Sequence, residues 1–202
     1  MAPDRASTDR GRNRACASAN PRAKIGAVPG SRVALLRWQF DLVWSLLDLH
    51  LDQLDDEDFL WRPADRCWTV HPNSEGRWLP DWAEPEPDPA PTVTVGWLSW
   101  HVGWWWTVAL DHATGRPPRT RQEISWPGDA ERTIAWLRAL RSDWLAVLDR
   151  LTEHDLDAPA SYPWQGRPDR TVGHMVGWVN AELMKNTAEI GQLRLLRVAA
   201  TG

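Results

Sequence analysis

The chain has 202 residues and a formal net charge of −4, with 43% hydrophobic and 25% charged residues, which suits one globular domain with a sizeable core. Basic and acidic residues are mixed along most of the chain, so nucleic acid and anionic membranes are not expected partners, and no apolar run approaches the ~20 residues of a membrane span. The anomaly is tryptophan: 16 Trp against two Phe and one Tyr, so indole rings must fill much of the core and their N–H groups need partners.

Residues 1–30 hold six basic residues and no apolar segment of a secretory signal. Their Arg, Ala, Ser and Gly content reads as a disordered arm ahead of a domain over 31–202. Cys16 and Cys67 make no metal or redox spacing and read as unrelated thiols of a cytoplasmic protein. From Ser31, the residues Leu36, Phe40, Val43, Leu47, His50 and Leu54 form one stripe of an amphipathic helix. Residues 55–93 contain seven prolines and no strand pattern, so a long loop is expected there, of the kind that often shapes a site.

Thr92 or Thr94 caps a second helix to about residue 113, with Leu98, His101, Val102, Trp105, Val108 and Ala109 on its inner stripe. Asp129 caps a third helix that carries Ile134, Leu137, Trp144 and Val147 to about residue 151. A loop with three prolines follows, and a last helix runs from about Thr171 to about residue 198. An echo supports this division: LDQLDDEDF (51–59) resembles LDRLTEHDL (148–156), and TVGW (94–97) resembles TVGH (171–174). Two similar helical hairpins make a four-helix bundle, since each alone leaves an apolar face open.

Polar residues interrupt these stripes. His101 lies inside the second, Asn186 falls within the last, and Glu182 stands about 40° to its side. Glu189 follows one turn onward, and His50 lies at the end of helix one. Such groups are costly near an apolar core unless paired or bound to a cation. Two readings stay open. One is a metal held between helices by His101, Glu182 and Asn186; the other is a buried hydrogen-bond network, Glu182 to a tryptophan N–H and His101 to Asn186.

LDDEDFLWRPA (54–64), TVGWLSWHVGWWW (94–106) and WVNAELMKNTAEIGQLRLL (178–196) carry a further signal. Through them the chain resembles the DinB/YfiT-like superfamily, especially its actinobacterial members, over about residues 31 to 198. The resemblance implies an all-α four-helix bundle of up-down-down-up topology. It implies a divalent metal, zinc or nickel, held by a histidine of helix two and two side chains four apart in the last helix. His101 matches the first position, and Glu182 and Asn186 match the others. Asn186 stands where histidine is usual, and Lys185 beside it is often histidine in relatives. An amide oxygen is a weak ligand for zinc, and the Lys185 charge disfavours a dication, so the metal site reads as partly degraded. The activities that the family implies are thiol-dependent: glutathione, bacillithiol or mycothiol transfer, and mycothiol-dependent maleylpyruvate isomerisation.

The expectation is therefore a metal-dependent thiol transferase acting on a small-molecule substrate with a low-molecular-weight thiol, of mycothiol or bacillithiol type. His101 and Glu182 would be ligands, with Asn186 a weak third or a water-positioning group. Trp97, Trp104, Trp105 and Trp178 would wall the pocket. Lys185 and Glu189 are secondary candidates, and His50 is expected to be structural. The rival expectation is a non-catalytic binding or structural protein, whose tryptophan-rich cleft holds an apolar ligand or a second subunit of a homodimer.

Overall fold

The computed structural model describes residues 30–165 and 167–201. Apart from Gly30, the arm expected over residues 1–30 lies outside the described residues, as does Cys16. Four long helices make the body: α1 (Arg32–Leu51), α3 (Val95–Ala113), α4 (Ala130–Leu148) and α5 (Val172–Thr201), with a short α2 (Asp56–Leu60) after the first. Side chains satisfy free N–H groups at the starts of α1, α3 and α4. Ser31 accepts from the Ala34 N–H, Thr94 from Trp97 and Asp129 from Arg132.

Pairwise contacts give the helix directions. Asn180 donates to the Leu36 carbonyl at 3.0 Å, and His50 lies over Gly191, so α1 and α5 run the same way. Arg37 pairs with Asp149 and Arg138 with Asp48 and Asp52, so α4 runs against α1. Trp105 meets both Asn186 and Trp178, while His101 shares a cavity with Lys185, so α3 runs against α5.

The sequence echo is realised as repeated contacts. Asp55 and Asp58 form a reciprocal capping box, and Thr152 and Asp155 exchange the same bonds at the equivalent positions. The apolar residues that close the two motifs, Phe59 and Leu156, are both buried. Each carbonyl is approached by the glycine of a T-V-G start: a Cβ on Gly96 would lie 2.9 Å from the Phe59 oxygen, and one on Gly173 would lie 3.2 Å from that of Leu156. Both halves thus dock a capping box against a helix start, and the 2.9 Å approach at Gly96 leaves no room for a Cβ.

Inner stripes fall where the periodicity predicts. Phe40, Val43 and Leu47 of α1 meet Trp100 and Trp106 of α3, Leu137 and Trp144 of α4, and Val176, Val179, Leu183 and Ile190 of α5 in one core. Trp100 and Trp126 donate to the Ile124 carbonyl and to Ser99, whereas the Trp106 and Trp144 N–H groups have no partner among the described residues. Truncating any one of these buried rings costs about 3–5 kcal/mol.

The proline-rich span departs from a plain loop. Beyond α2 it holds β1 (Cys67–Trp68) paired parallel with β4 (Thr92–Val93), and β2 (Val70–Pro72) paired antiparallel with β3 (Trp78–Pro80). Strands of two or three residues are too short to show an alternating pattern in sequence. Their effect is to pin residues 61–93 across the starts of α3 and α4, since the Trp126 N–H donates to the Trp78 carbonyl at 3.0 Å.

Candidate functional site

A cavity of about 420 Å³ opens between α3, α5 and this pinned span. α3 contributes Trp97, Leu98 and His101; α5 contributes Lys185, Asn186 and Glu189. Trp68, Trp82, Glu86 and residues 91–93 close it from the loop side.

The His101 ring lies parallel to Trp97, with centroids 5.1 Å apart and planes 11° apart, and edge-on to Trp104 at 5.9 Å. Its Nδ1 is buried without a hydrogen-bond partner among the described residues. Burial, with the Lys185 charge second, pushes its pKa down to about 4, so the imidazole is neutral at physiological pH. Trp97 is held by an N–H bond to the Asp81 carbonyl at 2.8 Å. Trp82 runs parallel to Trp97 at 6.4 Å and Trp68 to Trp82 at 6.3 Å, and Arg121 covers Trp82 at 4.5 Å. The wall is therefore a run of flat faces, stiff because neighbouring rings fix one another.

Asn186 is buried and committed on both sides. Its Oδ1 accepts the Trp105 N–H at 3.2 Å and its Nδ2 donates to Glu189 at 2.8 Å. The network thus runs from buried Trp105 and Asn186 out to exposed Glu189, and neither hydrogen bond expected of Glu182 or His101 is its link. Glu182 does not line the cavity; it accepts the Lys185 ammonium at 2.8 Å. Its charge acts instead on Tyr162, whose pKa is raised by burial first and by Glu182 second.

Of the expected pocket walls, Trp97 is one. Trp104 stacks on Trp100 behind His101 at 5.6 Å. Trp105 is core, and Trp178 belongs to a separate aromatic group with Trp105, Tyr162 and Trp164. The reason is axial: Trp178 and Glu182 lie a turn and more before Asn186, and the α3–α5 crossing brings only residues 185–189 to the cavity. His50 stands elsewhere, over Gly191 at the α1–α5 contact, its pKa lowered by burial and then by Arg194. Trp68, Trp82 and Glu86 were not among the expected site residues. Their one sequence signal is tryptophan within a proline-rich loop, which does not say which way a ring faces.

As folded, these donors do not fit a divalent ion. No three His, Cys, Asp or Glu side chains gather among the described residues. Glu182 is taken by Lys185, and the Asn186 oxygen already accepts an N–H. The ammonium of Lys185 stands at the cavity and repels a cation. His101 is the cavity's one imidazole; Glu189 already accepts from Asn186, and Glu86 does not gather with these side chains into a set of three, which makes a poor site for zinc.

Residues 39–190 match the family model described as the DinB superfamily. A crystal structure described as a conserved protein of locus from Enterococcus faecalis aligns with a TM-score of 0.56 at 13% identity, covering 83% of this chain and 97% of that one. At that identity the likeness is one of fold. No curated protein matches the chain.

Proposed function

The chain belongs to the DinB superfamily, and from that footing we propose that it binds a planar, largely apolar small molecule in the cavity beside His101. The observation that carries this reading is the neutral His101 imidazole, stacked on Trp97 and lining the cavity within a wall of parallel tryptophans. Flat indole faces favour a ring laid against them, and a neutral imidazole exchanges one hydrogen bond with a polar substituent. Lys185 sets the polarity of the rim. Cys67, a buried free thiol, suits the reducing cytoplasm in which we place the protein.

The test is a fluorescence titration with 2-naphthol, which offers a flat ring and one hydroxyl. Saturable quenching is expected, about tenfold weaker in His101→Phe, as loss of one hydrogen bond implies, and weaker still in Trp82→Ala. Quenching that never saturates, or that both variants leave unchanged, defeats the reading.

A metal-dependent thiol transferase is the second reading. What favours it is the same His101, held unprotonated at the cavity as a ligand must be. It requires that Asn186 and Glu182 give up their present partners. Zinc titration of untagged protein separates the two: one zinc bound at micromolar affinity, lost in His101→Ala, supports the transferase over metal-free ligand binding.

A further inference from the structure

The outer face of α1 is apolar and uncovered. Leu35, Trp38, Leu42, Leu46 and Leu49 are each between 38% and 62% exposed. They lie on one side of the helix, opposite the core residues Phe40, Val43 and Leu47. We infer that this face is a homodimer interface, formed by two α1 helices crossing antiparallel about a two-fold axis at Leu42.

Three observations choose a second copy as its occupant. First, the stripe is symmetric about Leu42 in spacing. Leu35 and Leu49 lie seven residues to either side, and Trp38 and Leu46 lie four. An antiparallel crossing therefore places Leu35 against the partner copy's Leu49 position, and Trp38 against that of Leu46. An isologous interface needs such self-complementarity, and a foreign partner has no reason to impose it.

Second, the charges along the edge are already used within the subunit. Arg37 pairs with Asp41 and Asp149, and Asp48 with Arg138. Arg32, at the groove that α1 and α5 form near Leu35, is held by Glu153 and Asp157. The stripe itself carries no basic residue to seek an anionic lipid surface or an acidic peptide.

Third, the size and shape fit. The five side chains expose on the order of 500 Å² of apolar surface, the upper range for a patch on a monomer. Beside them the outer face of α5 carries Gly177, Ala181, Met184 and Ala188, a low surface on which the partner's large side chains can rest. Pairing both faces buries on the order of 1,200 Å² in total, the lower end of a standard stable interface.

Sedimentation of the full chain tests this. The wild type is expected at twice the chain mass at micromolar concentration, and Leu42→Glu at the chain mass with an unchanged helical circular dichroism spectrum. Leu35→Lys and Leu49→Glu should each weaken the dimer at least tenfold, and the double variant should regain it, because the two altered positions face each other across the axis. A wild type at the chain mass overturns the proposal and gives the face to residues 1–29 or to another protein. A dimer that Leu42→Glu leaves intact overturns it too, and failure of the double variant to recover rejects the axis at Leu42.

Discussion

The Trp105 indole N–H donates to Asn186 Oδ1 at 3.2 Å, at a point where both residues are buried. This bond joins α3 to α5 and fixes the amide orientation, since Nδ2 then donates to Glu189 at 2.8 Å. It also explains why asparagine suits position 186 as folded: one side chain accepts from an indole and donates to a carboxylate, which leucine cannot do.

Asn186→Leu should cost about 1–3 kcal/mol in urea denaturation, because the buried Trp105 N–H loses its acceptor. In a Trp105→Phe background the same substitution should cost about 1 kcal/mol less, since no orphaned donor is left. Strict additivity of the two losses would show that the bond contributes nothing.

His101 makes stability depend on pH. Its folded pKa of about 4 lies below the ordinary 6.5. Between those values the unfolded chain takes up a proton that the folded chain does not, so stability is full above the ordinary pKa and falls as pH drops. From pH 7.5 to pH 4.5 the wild type should lose about 2–3 kcal/mol more than His101→Phe. Equal losses in the two proteins would mean that His101 is not held neutral by the fold.

The Trp136 ring of α4 lies directly on Gly103 of α3. A Cβ there would lie 1.8 Å from the Trp136 ring. Gly103→Ala should therefore destabilise by about 1–3 kcal/mol, despite the better helix propensity of alanine. With Trp136→Ala present the sign should reverse, to a gain of about 0.5–1 kcal/mol. Thermal melts of the four proteins decide it, and a Gly103→Ala protein as stable as wild type would refute the close packing.

Asp111 is a buried carboxylate at the end of α3, clamped by Arg119 through its backbone N–H and guanidinium and by Arg116 at 3.1 Å. Burial alone would raise its pKa, but the Arg119 bonds and the two charges together bring it below the ordinary value. Asp111→Asn should cost about 2 kcal/mol, less than a fully buried pair because both arginines reach solvent. That loss should begin to shrink near the ordinary carboxylate pKa of 3.8, where the unfolded chain takes up a proton, and go on shrinking as pH falls towards the lowered folded pKa; a loss constant down to pH 2 would contradict the ion-pair account.

The bundle was legible because its signals are local. The periodicity of Phe40, Val43 and Leu47, the caps Thr94 and Asp129, and the echo between residues 51–59 and 148–156 each act within a few residues, and each appears where expected. Family membership was legible for the same reason, as its motifs are continuous stretches.

The site was legible only in part, because it depends on crossings. Sequence placed His101 and Asn186 on inner stripes, and both reach the cavity. It did not determine that Glu182 would turn to Lys185 and Tyr162, or that Trp105 would claim the Asn186 oxygen. About two to three turns along one side of α5 separate the cavity from the neighbouring aromatic group, and only the packing angle of α3 on α5 decides which turn meets the cavity. Trp68 and Trp82 face the site because two short strand pairs pin their loop, and those pairings join residues 6 to 25 apart that carry no periodic signal. Helix identity follows from contacts between near neighbours along the chain, whereas the chemistry of this cavity follows from which distant side chains exclude water together.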